Sequence, residues 1–85
     1  MFQAEIKITL KAGVLDPQGE TVKSSLGAMG FKGVDDVRVG KLITLTVAGN
    51  DREAAHAEVA DMCERLLANP VIEKYDFTLA EVSEV

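Results

Sequence analysis

Few side chains in this sequence are of kinds that do chemistry, and they are scattered. His56 is the only histidine and Cys63 the only cysteine. A single imidazole works as a general base only beside a nucleophile or an orienting carboxylate. No such constellation accompanies His56, which reads as a surface or interface histidine near a helix start. Cys63 falls in an apolar helical stripe. A reactive thiol needs a basic neighbourhood, and Glu64 is acidic, so Cys63 reads as a small core hydrophobe. One cysteine also excludes an internal disulfide and any CxxC metal or redox motif. Asp35-Asp36 are adjacent and diverge, whereas hard cations need several converging oxygens. They read as a solvated turn.

Two further segments bear on ligands. Asp16-Pro17-Gln18-Gly19 opens a helix with one glycine and a carboxylate where a phosphate would sit. Helix N-termini attract anions, but Asp16 already occupies this one. Arg38, Gly40 and Lys41 form a small basic spot and are the candidates for contact with an acidic partner or a phosphate. The plainer reading is an exposed edge whose charges block aggregation. No residue is assigned as catalytic, cofactor-binding or metal-ligating, and a chain without such a set is not an enzyme by itself.

The elements that hold these residues are clearer than the chemistry. Phe2, Ala4, Ile6, Ile8 and Leu10 alternate with Gln3, Glu5, Lys7, Thr9 and Lys11. A period of two gives a strand with one dry and one wet face. Gly13 breaks the alternation. Asp16 then reads as an N-cap with Pro17 at the first helical position. Val22, Leu26 and Met29 share one helix face, and Gly30 is the C-terminal cap. Gly19 and Gly27 each weaken this helix, and either marks a place where a neighbour packs closely.

Val37, Val39, Ile43, Leu45 and Val47 share one parity. A hairpin at Gly40-Lys41 would pair Val39 with Leu42 and turn the second arm over. Keeping the odd residues on one face favours a single long strand, bent or bulged near Gly40. A strand that long overshoots so small a domain and is available to another chain. Asn50 with Glu53 reads as the next N-cap. Ala55, Val59, Met62, Cys63, Leu66 and Leu67 make the buried stripe of the second helix. Pro70 closes that helix. A last strand runs over 72–79, with Tyr75, Phe77 and Leu79 on one face.

The 85 residues (9.1 kDa) form one domain over 1–85, with a frayed tail at 82–85. A chain of this size buries roughly 60% of its unfolded surface, so oligomerisation is an expected supplement. The expected fold is α+β: a two-layer α/β sandwich, ferredoxin-like, with an antiparallel sheet and two helices on one face. The order is strand, helix, long bent strand, helix, strand. Net charge is −5, divided as +1 over residues 1–42 and −6 over 43–85. Without clustered Lys and Arg, nucleic-acid binding is not expected. No run is apolar enough to span a membrane, and the N-terminus is not a signal peptide, so the expected location is cytoplasmic.

Three blocks carry a family resemblance: Gly13-Val14-Leu15-Asp16-Pro17-Gln18-Gly19, Asp36-Val37-Arg38-Val39-Gly40-Lys41, and the run from Met62 to Glu73. In this order and at this spacing they resemble the PurS family over residues 2–80. The resemblance implies the small, non-catalytic subunit of phosphoribosylformylglycinamidine synthase. In that complex a large synthetase subunit (PurL) uses ATP and magnesium to activate formylglycinamide ribonucleotide. A glutaminase subunit (PurQ) supplies ammonia. The resemblance implies a homodimer that bridges the two enzymes, with no cofactor on this chain. The alternative function is a small-molecule-binding regulatory module of ferredoxin-like fold. RNA binding ranks below both, because the strand aromatics Phe2, Tyr75 and Phe77 fit the buried parity rather than an exposed stacking face.

Overall fold

The computed structural model describes residues 1–82. Strand β1 (Phe2–Leu10) is the centre of a three-stranded antiparallel sheet. Strand β2 (Lys41–Val47) and strand β3 (Glu73–Glu81) flank it, in the order β2-β1-β3. Register follows the alternation in the sequence. Ile6 lies opposite both Ile43 and Phe77, and Ala4 opposite Leu45 and Leu79. All these side chains therefore share one face. The core of Phe2, Ala4, Ile6, Ile8 and Val47 is buried there under Ala55, Val59, Cys63 and Ala68. The opposite face carries Glu5, Lys7, Thr44 and Thr78, all exposed.

Helix α2 (Arg52–Met62) supplies that cover. Its cap is Asp51, not the expected Asn50: the Asp51 carboxylate accepts from the Glu53 amide at 3.0 Å. Either residue can cap a helix, and local sequence does not distinguish them. The helix ends in a π turn, Cys63–Leu67, closed by the Ala68 amide donating to the Cys63 carbonyl at 3.0 Å. The extra residue in this turn rotates the following side chains. Leu66, expected in the buried stripe, is thrown out to 82% exposure, and Ala68 takes its place in the core. Ala68 is already extended, so the helix stops before Asn69-Pro70. Asn69 then ties the turn, its amide donating to the Glu73 carboxylate and its side-chain oxygen accepting from the Val71 amide.

Helix α1 (Pro17–Ala28) begins as expected, with Asp16 as cap and Pro17 in the first turn. It ends in a Schellman arrangement: Gly30 has φ +100°, its amide donates to the Gly27 carbonyl, and the Phe31 amide donates to the Leu26 carbonyl. The α+β fold read in the sequence, an antiparallel sheet with two helices, is the fold observed, with α1 the less buried of the two helices. Only Gly19 of α1 is buried. Val22, Met29 and the neighbouring Leu15 and Phe31 are exposed. The chain is accordingly long, 50 × 30 × 15 Å, with a radius of gyration of 16.6 Å. A compact chain of this length has a radius of about 12 Å.

The long central strand is also corrected. β2 starts at Lys41, and residues 34–40 are neither strand nor hairpin. The expected parity holds within β2, where Ile43, Leu45 and Val47 all face the core. It does not carry pairing back through Val37 and Val39, because among the described residues no strand lies beside them. Of the tail expected to fray, Val82 is held by its amide donating to the Met1 carbonyl, and residues 83–85 lie outside the described residues.

Candidate interface at the Asp16 junction

The polar residue most firmly fixed in the structure is Asp16, 6% exposed. One carboxylate oxygen accepts from the Gly19 amide at 2.9 Å and caps α1. The other accepts from the Val39 amide at 2.8 Å. One side chain thus ties the start of α1 to a segment 23 residues further on. These two amides, and then the nearby Arg38 guanidinium, hold the Asp16 carboxyl below its ordinary value, against the opposing effect of burial. Gly19 makes the junction possible. A Cβ there would overlap the Val37 carbonyl oxygen, with the carbonyl carbon at 3.0 Å. Only glycine admits that approach.

The three expected contact residues lie around this junction. Arg38 donates from Nη1 to the Val14 carbonyl at 2.8 Å, and its Nε stands 3.9 Å from the Asp36 carboxylate. Its guanidinium braces the loop before α1 and lines a groove with Gly13, Asp16, Glu20 and Asp36. Gly40 lies against the end of β1: a Cβ there would come within 2.5 Å of the Ile8 carbonyl oxygen and 2.8 Å of Thr9 Cγ2. Lys41 opens β2, its Nζ 3.7 Å from the Glu73 carboxylate and its side chain 62% exposed. Gly40 and Lys41 share a second groove with Asp16, Pro17 and Glu73. All three residues therefore sit at one end of the sheet, with Lys41 the most open to a partner.

The remaining polar residues take structural roles. Cys63 is buried, and burial followed by the Glu64 carboxylate pushes its thiol above the ordinary value. That is the opposite of what an attacking thiol needs. The Tyr75 hydroxyl donates to Glu64 at 2.8 Å, and this bond, followed by burial, pushes its pKa up. His56 is exposed, but its ring lies 4.8 Å from that of Phe77, so it packs over β3. Arg52 lies over the Phe2 ring and donates to the Leu79 carbonyl. Among the described residues no three His, Cys, Asp or Glu side chains converge as a metal set. No helix there is long and apolar enough to cross a membrane.

Sequence reasoning found the Asp16 cap and offered Gly19 as a close-packing site. It did not find the Asp16–Val39 bond, which has no local signature. Beyond that, the site is a joint between elements rather than a reaction centre.

Comparison with known proteins gives the joint a context. Residues 3–81 match the family model PurS, described as phosphoribosylformylglycinamidine (FGAM) synthase. The Bacillus subtilis phosphoribosylformylglycinamidine synthase subunit PurS is 44% identical over 82 residues, covering 96% of this chain and 96% of that protein. A crystal structure of Methanocaldococcus jannaschii PurS, one of the subunits of formylglycinamide ribonucleotide amidotransferase in the purine biosynthetic pathway, superposes with a TM-score of 0.86. Its identity is 38%, over 98% of this chain and 100% of that one. A chain from the structure of PurLQS from Thermotoga maritima superposes with a TM-score of 0.85 at 35% identity, over 93% of this chain and 96% of that one. The fold and the full-length match converge: this chain belongs to the PurS family of FGAM synthase subunits.

Proposed function

We propose that this protein is the non-catalytic small subunit of a three-component FGAM synthase in purine biosynthesis, bridging the synthetase (PurL) and glutaminase (PurQ) subunits. The observation that carries the reading is the family match, which spans residues 3–81 and so nearly the whole fold. The residues agree with it. The polar groups of the Asp16 junction are spent on internal bonds, and the one thiol is buried and held protonated. The chemistry of the complex then resides in its partners, where ATP and magnesium are used. This chain contributes geometry. Ammonia released from glutamine is protonated and lost if it reaches bulk water, so the two enzymes need a fixed mutual placement. The reading sets the protein in the cytoplasm, as one unit over 1–85.

A homodimer is part of this reading. The exposed apolar face of α1 and the elongated shape support it, because a lone domain rarely leaves a large apolar patch uncovered. Arg38, Gly40 and Lys41 are assigned to the interface region, with Lys41 meeting an acidic group of a partner. Sedimentation of this chain with the two enzymes, in the presence of glutamine and nucleotide, tests the assembly. One complex containing all three is expected, weakened by Lys41→Glu. Three independently sedimenting species would overturn the reading.

A further inference from the structure

A second apolar surface lies apart from α1, at the corner where α2 leads into β3. Leu66 is 82% exposed there, Val71 78% and Ile72 39%. Leu66 owes its position to the π turn Cys63–Leu67, which gives Ala68 to the core in its place. A π turn is a rare departure from regular helix, and such turns frequently mark functional sites. An exposed leucine gains nothing from folding, because its apolar surface stays in water. Val71 and Ile72 follow in the turn before β3 and face water as well.

The corner is firmly held despite its exposure. The Asn69 carbonyl accepts from the Ile72 amide at 3.2 Å and from the Glu73 amide at 2.7 Å. The Asn69 side-chain oxygen accepts from the Val71 amide at 3.1 Å, and the Asn69 amide donates to the Glu73 carboxylate at 2.7 Å. Lys11, just past the end of β1, clamps the turn from the side. Its amide donates to the Ile72 carbonyl at 2.8 Å and its Nζ to the Pro70 carbonyl at 2.6 Å. Apolar side chains on a backbone fixed in this way bind a partner with little further loss of conformational freedom.

Charge and area both bear on what the corner meets. Residues 58–76 hold five acidic groups and two basic ones, a net of −3. Arg65 pairs with Asp61 at 3.2 Å, which leaves Glu58 and Glu64 without an ion pair among the described residues. A second copy of this chain, docked through the same corner, would bring the same acidic groups against these. Like charges brought together across an interface oppose association. Three apolar side chains also fall far short of the roughly 800 Å² that each partner buries in a standard interface. The corner therefore suits an anchor within a larger contact to a different chain.

We propose that Leu66, Val71 and Ile72 dock into an apolar cleft rimmed by Lys and Arg on one of the two enzyme subunits. The inference rests on the bridging role proposed above and gives one of its contacts a place in the fold. Leu66 and Val71 are the anchors, being the most exposed apolar side chains of a rigid turn. The acidic groups of α2 steer the encounter and fix its orientation.

Binding measurements test the docking. The wild type and the double variant Leu66→Ser, Val71→Ser are each titrated into the synthetase, the glutaminase and a mixture of the two. Binding to at least one of these is expected to weaken about 30-fold in the variant. The melting temperature of the chain and its sedimentation alone are expected to stay unchanged, because both side chains already face water. Unchanged affinity throughout overturns the docking surface and leaves the bridging role standing. Altered self-association with unchanged affinity also overturns it, and assigns the corner to a second copy. A wild type that binds none of the three overturns both the docking and the bridging role. Hydroxyl-radical oxidation of the wild type makes the test independent of the variant. Leu66 and Val71 are expected to be protected in the assembly relative to the chain alone, and equal oxidation in the two states refutes the proposal.

Discussion

Replacing Gly19 with alanine should destabilise this protein, and replacing Gly27 with alanine should stabilise it, although both lie in α1. In a helix interior the exchange of glycine for alanine is worth about 1 kcal/mol in favour of folding. At Gly27 nothing stands within 4 Å of the new Cβ, so the gain is realised in full. At Gly19 the new Cβ would occupy the place of the Val37 carbonyl oxygen. That oxygen is backbone and cannot swing aside as the end of a side chain does. Overpacking of this kind costs about 1–3 kcal/mol, and a backbone obstacle belongs at the upper end. The propensity gain is common to both variants, so their difference isolates the steric cost, about 3 kcal/mol. For a domain of this size 1 kcal/mol moves the melting temperature by about 4–8 °C. The gap between the variants is then on the order of 15 °C, with Gly27→Ala above the wild type and Gly19→Ala below it. Melting curves at one fixed protomer concentration measure it, because association would otherwise shift both. Equal stabilisation by the two substitutions would refute the close approach of α1 to segment 37–39.

Three other outcomes follow from the structure. Asp16 has a folded-state pKa below its ordinary value of 3.8, so its contribution is present above that pH and lost as pH falls through the depressed value; the stability difference between wild type and Asp16→Asn, measured by urea unfolding, should shrink below about pH 4. Cys63 is fully buried with a raised pKa, so a thiol reagent should label the native protein far more slowly than the urea-unfolded one, and rapid native labelling would contradict its place in the core. Ile6→Ala removes a fully buried side chain at the centre of the sheet and should cost about 2–5 kcal/mol in denaturant unfolding, a large share of the stability of a domain this small.

What could be read from the sequence was what is decided locally. The alternation in β1 and β3 is a property of neighbouring residues, as are the Asp16 cap, the Gly30 terminus and the stop before Pro70. The π turn was not legible, because Leu66 and Leu67 have equal claim to the apolar face until one extra residue enters the turn. Nor was the choice between Asn50 and Asp51 as cap, two adjacent residues of equal capping chemistry. The parity of Val37 and Val39 was visible, but their pairing depends on a strand beside them, and among the described residues none is present. The candidate site divides in the same way. Arg38, Gly40 and Lys41 were found as a local motif. The second Asp16 bond links residues 16 and 39 and has no signature in either place.

The central claim is that this chain connects two enzymes without performing either reaction. The most direct measurement is FGAM synthesis by the synthetase and glutaminase subunits, with and without this chain, driven first by glutamine and then by free ammonia. The account predicts that glutamine-driven synthesis requires this chain, while ammonia-driven synthesis proceeds without it. Glutamine-driven synthesis at the same rate whether or not the chain is present would contradict it.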